Sequence, residues 1–436
     1  MKNPLKQIVK AQKAGKALGI YSCCSANEYV IEAVLRKGKE EDSCVLIEST
    51  ANQVDQFGGY TGMTPADFKQ FVLKKADEVG FDASKLFLGG DHLGPLTFAN
   101  ENETEAMKKA KDLIQAYVKA GFSKIHIDTS MKVADDDPNT RLSDETIARR
   151  GAILAQAAEK AFEEYKQAHP NAIEPVYVIG SEVPIPGGQQ GTEAASEMEV
   201  TKPEDFQATL KAFQNAFLQR GLDQAWNNVI GIVVQPGVEE KDAGCVEYDR
   251  KKAEKLCQAI QAYDQIVFEG HSTDYQTKIK LRELVEDGVA ILKVGPGLTF
   301  AMREALFALA FAEEELFGAQ GSHWMDVLDQ AMLDDSKYWE KHYIGTPEQT
   351  RIQRKYSFSD RSRYYMPDAR VKAAETVMLA HFKDGVPLNL LSQFMPRQYT
   401  AVREGRIKNE PKELILNYIQ HTIDEYLYAT HQKELF

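Results

Sequence analysis

The chain has 436 residues, 43% apolar and 27% charged, the balance of a soluble globular protein larger than one simple domain. A formal charge of −13 at pH 7 argues against a nucleic acid or an anionic membrane as partner, and an anionic substrate would need a local basic pocket. Five scattered cysteines lack CxxC spacing, no apolar stretch approaches the ~20 residues of a membrane span, and the basic N-terminus has no secretory core, so the expectation is a cytoplasmic metabolic protein.

Short β-rich runs then alternate with helical segments. In chain order the runs are Leu18–Ser22, Cys44–Ser49, Leu86–Gly90, Lys124–Asp128, Val176–Gly180, Val229–Val234, Ile266–Glu269 and Ala290–Val294. Helical spacing covers Pro65–Val79, Glu105–Ala120, Asp144–Ala168, Pro203–Arg220, Asp249–Ala262, Tyr275–Glu286 and Phe300–Phe317. The clearest start is GMTPADF, where Thr64 suits a cap and Pro65 the first helical position. Eight strands in series, mostly apolar on both faces and joined by helices, predict an α/β fold of the (β/α)8 TIM-barrel type. A doubly wound open sheet is the competing architecture. Strand alternation stops after Phe317, so residues 320–436 read as a helical extension packed on a barrel of residues 1–319.

Catalytic groups of a barrel sit where strands give way to loops at the carboxyl end. Those positions hold Glu48, Asp91, His92, Asp128, Glu182, Gln235, Glu269 and His271, drawn from six strands. The adjacent pair Asp91-His92, in KLFLGGDHLGP, sets a proton acceptor beside a metal-binding nitrogen. Two imidazoles and a carboxylate, as in His92, Glu182 and His271, suit zinc, or manganese, with an open coordination position. Gln235, Glu269 or water could be the fourth group. Period-two alternation puts His126 and Asp128 on one face of their strand, and Glu269 and His271 on one face of theirs. Asp91, Asp128 and Glu269 are the candidate acids and bases. Three segments could hold anions or sugar hydroxyls. They are the loop at Gly187-Gly188, the Gly295/Gly297 turn leading into a helix, and YSFSDRSRYY with Arg361 and Arg363.

The motifs GGDHLGP, AYVKAGFSKIHIDTS, GSEVPIPGGQQGTE and IVFEGHSTD occur in the order seen in class II, metal-dependent ketose-bisphosphate aldolases. GIYSCCSANEYVIEAVLRKGKEEDSCVLIEST also resembles the opening of that fold. This likeness spans Gly19 to about Phe300. Nearly the whole chain resembles the Z-type subunit of tagatose-1,6-bisphosphate aldolase. The resemblance implies that Asp91 is the catalytic acid/base, His92 the first metal ligand, and Glu182 the carboxylate before the glycine loop. It also shows two departures. Where those aldolases carry a metal-binding histidine before a PG pair, this chain reads IGIVVQPG with Gly231. In the seventh strand Glu269 holds the histidine position, with His271 two residues later. These departures point to a rearranged site using His271 and Gln235. Z-type subunits are described as non-catalytic partners of a separate aldolase subunit, and some similar proteins as epimerases that invert C4 of ketohexoses or their 6-phosphates. The resemblance therefore implies a sugar or sugar-phosphate ligand, with an aldolase subunit or a second copy of the chain as further partners.

Overall fold

The computed structural model describes residues 1–181 and 199–436. Its eight apolar runs become parallel strands that close on themselves: β1 (Ile20–Cys24), β2 (Val45–Thr50), β3 (Leu86–Leu93), β4 (Lys124–Ile127), β5 (Val176–Ile179), β6 (Val229–Val234), β9 (Val267–Gly270) and β10 (Val289–Val294). A short antiparallel ribbon, β7 (Glu239–Glu240) and β8 (Cys245–Val246), is inserted after β6. The barrel closes where β1 pairs with β10, Ile20 opposite Ile291 and Ser22 opposite Lys293. The closed ring settles the competition with an open sheet. Burial on both faces explains why the strands read as continuous apolar runs.

The lower interior is packed rather than hollow. Ile20, Leu46, Phe87, Val178, Val267 and Ile291 form one apolar cluster with Leu5, Ile8 and Val9 of the N-terminal helix Lys6–Lys13. The preceding Asn3 amide donates to the Ser123 and Glu174 carbonyls, just before β4 and β5, which fixes this helix across the strand starts. The amino-terminal end is thus plugged, and chemistry is confined to the carboxyl end.

Element positions depart from the sequence reading in a few places. β1 begins two residues later than expected. The segment after it is an unforeseen helix, Glu28–Glu40, capped by Asn27, whose side chain accepts from the Tyr29 and Val30 N–H groups. Its apolar face shows little contrast because Glu32 and Lys37 are buried as well, held by Arg36, Lys412 and Asp424. The last barrel helix starts at Pro296 rather than Phe300, and the one before it at Lys278. The start at GMTPADF is as expected: Thr64 and Asp67 form a capping box ahead of Pro65–Val79.

Beyond Phe317 come the helices Trp324–Asp334, Pro347–Tyr356, Ala369–His381, Leu388–Phe394, Pro396–Arg403 and Pro411–Thr430. The last of them packs on Glu28–Glu40, Lys278–Glu286 and Pro296–Phe317, and its Leu414, Ile419 and Ile423 join the apolar cluster outside the strands. No helix among the described residues is long and apolar enough to cross a membrane.

Candidate active site at the barrel mouth

Above the apolar plug the interior changes character abruptly. Glu48 lies opposite Gly89, which lies opposite Lys124, so all three share one level of the sheet. A Cβ on Gly89 would stand 2.6 Å from Glu48 Cγ, so glycine opens the way for the carboxylate to cross the lumen. There the Lys124 ammonium sits 2.7 Å from Glu48 and 2.7 Å from Glu269, with all three side chains fully buried. Lys293 sits 2.6 Å from Glu48 and 2.7 Å from Asp91. Burial opposes charging Lys293, but Asp91, Cys24, Glu48 and Glu269 outweigh it and hold the ammonium well above its ordinary range.

Three imidazoles stand on this layer. His92, His126 and His271 form a near-equilateral triangle, with ring centres 5.2, 5.1 and 5.1 Å apart. Three imidazoles whose nitrogens lie ~2.0–2.1 Å from one tetrahedral ion have ring centres about 5 Å apart. Asp91, His126, Glu269 and His271 each offer an atom within 4.8 Å of the others, a group able to hold a metal ion. His126 Nδ1 lies 2.8 Å from Asp91 Oδ1 and also 3.1 Å from the His92 N–H. One ring nitrogen cannot donate to the first while accepting from the second, and its Nε2 is buried without a hydrogen-bond partner. Burial pushes the His271 imidazole down to about 4, with Lys293 and His92 adding to the shift, which leaves it neutral with a lone pair to give. Among the described residues, four buried carboxylates, Glu48, Asp91, Asp128 and Glu269, face two buried ammoniums, Lys124 and Lys293. The two surplus negative charges must be offset by protonated imidazoles or by a cation. The donor set fits a divalent ion.

His92 is held in place by its backbone and by Asp128. Its φ of 51° is left-handed, a conformation that costs a non-glycine residue energy and turns its N–H toward His126. Its Nδ1 lies 2.9 Å from Asp128 Oδ2, while its Nε2 looks toward Asp91 Oδ2 at 3.6 Å. Burial opposes ionisation of Asp128, yet the His92 hydrogen bond wins and draws the carboxyl down to about 2. A carboxylate behind a ligand imidazole fixes its tautomer and raises its basicity. Asp128→Asn is therefore expected to weaken divalent-metal affinity roughly 10–100-fold, measured by competition with a chromophoric chelator; unchanged affinity would remove Asp128 from this role. The turn after His92 is equally constrained. A Cβ on Gly94 would fall 1.6 Å from the Asp128 carbonyl oxygen. Gly94→Ala should cost roughly 1–3 kcal/mol or more of stability in a urea titration.

The other expected residues fall into three groups. Asp91, His92, His271, Gly295 and Arg363 line a cavity of about 380 Å3 at the mouth. Asp128 and Glu269 lie behind it. Both Asp128 oxygens are engaged, by Ser130 and by His92, and Glu269 is held by Lys124 and His271. Three residues are directed elsewhere. Gln235 Oε1 accepts from the Gly237 and Val238 N–H groups at 2.7 and 2.9 Å, closing a turn. Arg361 turns to His342 Nδ1 at 2.9 Å, and the Gly297 N–H already donates to Asp274 Oδ1. Glu182 and the Gly187-Gly188 loop lie outside the described residues. Sequence reasoning did not anticipate Lys124 and Lys293 or the part of His126. The extension also reaches the site, since Arg363, Tyr364 and Met366 line the same cavity.

The family described as D-tagatose-1,6-bisphosphate aldolase subunit GatZ/KbaZ-like matches residues 5–431. The chain belongs to that family. A crystal structure described as a probable tagatose 6 phosphate kinase from Sinorhizobium meliloti 1021 is 44% identical, with a TM-score of 0.85, and the match covers 94% of this chain and 100% of that one. A fructose-bisphosphate aldolase from Campylobacter jejuni is more distant, at 16% identity and a TM-score of 0.45, over 87% of this chain and 92% of that one. The GatZ/KbaZ-like match spans both the barrel and nearly all of the extension, which agrees with a cavity lined by both.

Proposed function

We propose that this chain is a metal-dependent enzyme that reversibly breaks the C3–C4 bond of a ketohexose phosphate. The observation that carries the reading is the triangle of His92, His126 and His271, two of whose members, His92 and His271, line a cavity together with Asp91. When bound there, zinc or manganese supplies Lewis acidity to a carbonyl and hydroxyl oxygen of the sugar. His92, His126 and His271 would hold it, which leaves Asp91 beside them for the proton. Asp91 is the one candidate acid or base that itself lines the cavity, and it takes the C4 hydroxyl proton as the C3–C4 electron pair moves toward the C2 carbonyl. Burial works against the charged form of Asp91, but His92, Lys293 and His126 hold it ionised, ready to accept that proton. Lys293, 2.7 Å from Asp91, steadies that charge. Asp128 orients His92, and Glu269 orients His271.

A second reading rests on the same site. Re-addition of the aldehyde from its other face would invert C4, making the protein a 4-epimerase. Tyr364 and Met366 of the extension add to the cavity wall, and a wall that holds the aldehyde near the site would favour this outcome. The purified chain with added Zn2+ or Mn2+ is incubated with tagatose 1,6-bisphosphate, fructose 6-phosphate and fructose. Triose release identifies an aldolase and C4-inverted hexose an epimerase. Absence of both products, with stimulation of an added catalytic aldolase, identifies a helper subunit and refutes the enzymatic reading.

A further inference from the structure

In β/α barrels the helix after the last strand often offers free backbone N–H groups to a phosphate. Here Pro296–Phe317 follows β10 in that position, with Gly295 as its N-cap. Its donors are already spoken for. Asp274, from the loop after the neighbouring strand β9, places Oδ1 3.0 Å from the Gly295 nitrogen and 2.7 Å from the Gly297 nitrogen. The chain's own carboxylate thus sits where an anion would sit.

Two further acidic side chains, Glu239 and Glu240, stand beside it, both pushed up by burial. Glu240 is 5% exposed and also lines the cavity, and its Oε2 is buried without a hydrogen-bond partner. Glu239 beside it accepts from the Ser272 hydroxyl at 3.2 Å. Burial and the charge of Glu240 lift the Asp274 carboxyl to about 7, while Arg363 and the two glycine N–H groups pull the other way. A phosphate dianion entering this corner would meet two carboxylates and lose both backbone donors. A sugar hydroxyl fares differently, because the unpartnered Glu240 oxygen needs a donor.

We propose that this corner binds a hydroxyl-bearing, phosphate-free end of the sugar, with Glu240 accepting from its hydroxyl and Asp274 excluding phosphate. This rests on the sugar-phosphate reading above and narrows it, since the ligand then carries phosphate at one end at most.

The test is calorimetric titration at pH 8, with metal present, of fructose 6-phosphate, fructose 1,6-bisphosphate and inorganic phosphate. The wild-type chain should bind the bisphosphate at least tenfold more weakly than the monophosphate. Asp274→Ala, which frees the two N–H groups, should close that gap and gain inorganic phosphate binding. Asp274→Asn keeps an acceptor on them and should not gain it. Tighter wild-type binding of the bisphosphate, or equal phosphate affinity in wild type and Asp274→Ala, overturns the proposal. If no sugar binds at all, the functional reading fails, and the inorganic phosphate comparison still decides the corner. If Asp274→Ala does not fold, the wild-type order of the two fructose phosphates decides it.

Discussion

Replacing His126 with alanine is expected to strip the purified protein of its divalent metal and to abolish turnover. The argument starts from position. His126 lies on β4, between the fully buried Lys124 and the buried Asp128, and its ring completes the triangle with His92 and His271. The ring is fully buried, and its Nε2 has no hydrogen-bond partner among the described residues. A buried imidazole left so incompletely bonded costs stability unless something else engages it. Lewis-acid assistance is worth several kcal/mol of transition-state stabilisation, so its loss should lower turnover roughly a thousandfold or more. Metal content by plasma mass spectrometry and turnover on the preferred sugar are the two readouts. His126→Ala with full metal content and near-normal turnover would leave His126 a structural residue.

Lys124→Met should be among the most destabilising single changes in the barrel. The ammonium bridges Glu48 and Glu269 at 2.7 Å each, with no solvent contact on any of the three. Removing one partner of a buried ion pair leaves uncompensated charge and costs ~3–5 kcal/mol. Glu48 keeps a direct ion pair with Lys293, whereas Glu269 keeps a hydrogen bond from His271 at 3.0 Å and the more distant charge of Lys293, so Glu269 carries most of the loss. In the wild-type chain burial opposes ionisation of Glu269, and Lys124 and Lys293 overcome it, holding the carboxyl well below its usual range. Without Lys124 the folded-state carboxyl titrates at higher pH than in the unfolded chain. A raised carboxyl contributes stability below that pH and loses it as pH rises. The deficit of Lys124→Met should therefore be larger at pH 8 than at pH 5, and Lys124→Met/Glu269→Gln should recover part of it. Urea unfolding of all three chains at both pH values, with chelator present, is the measurement. A pH-independent loss below ~1 kcal/mol would contradict the buried network.

The barrel was legible because parallel strands buried on both faces leave apolar runs that helical connections separate. The helix Glu28–Glu40 was not, since its buried Glu32 and Lys37 blur the apolar stripe on which helix reading depends. Reading the strand ends placed Asp91, His92 and His271 together at the barrel mouth, where the structure has them lining one cavity. Lys124 and Lys293 stayed hidden for a physical reason. A lysine within an apolar run normally turns to solvent, and only closure of the ring brings these two onto Glu48. An amide at a strand end can bind its own turn as readily as a metal, and the Gln235 oxygen accepts from Gly237 and Val238, a pairing its sequence position does not announce. Gly295 and Gly297 were placed correctly at the start of a helix. Their N–H groups are claimed by Asp274 from the neighbouring strand's loop, a long-range pairing that no local pattern announces.

Anomalous diffraction from crystals of the metal-loaded protein tests the central claim most directly. A single peak within coordination distance of His92, His126 and His271 is the predicted result. A peak elsewhere, or none in crystals of protein that turns over unchanged in chelator, would contradict a metal-centred site at the barrel mouth.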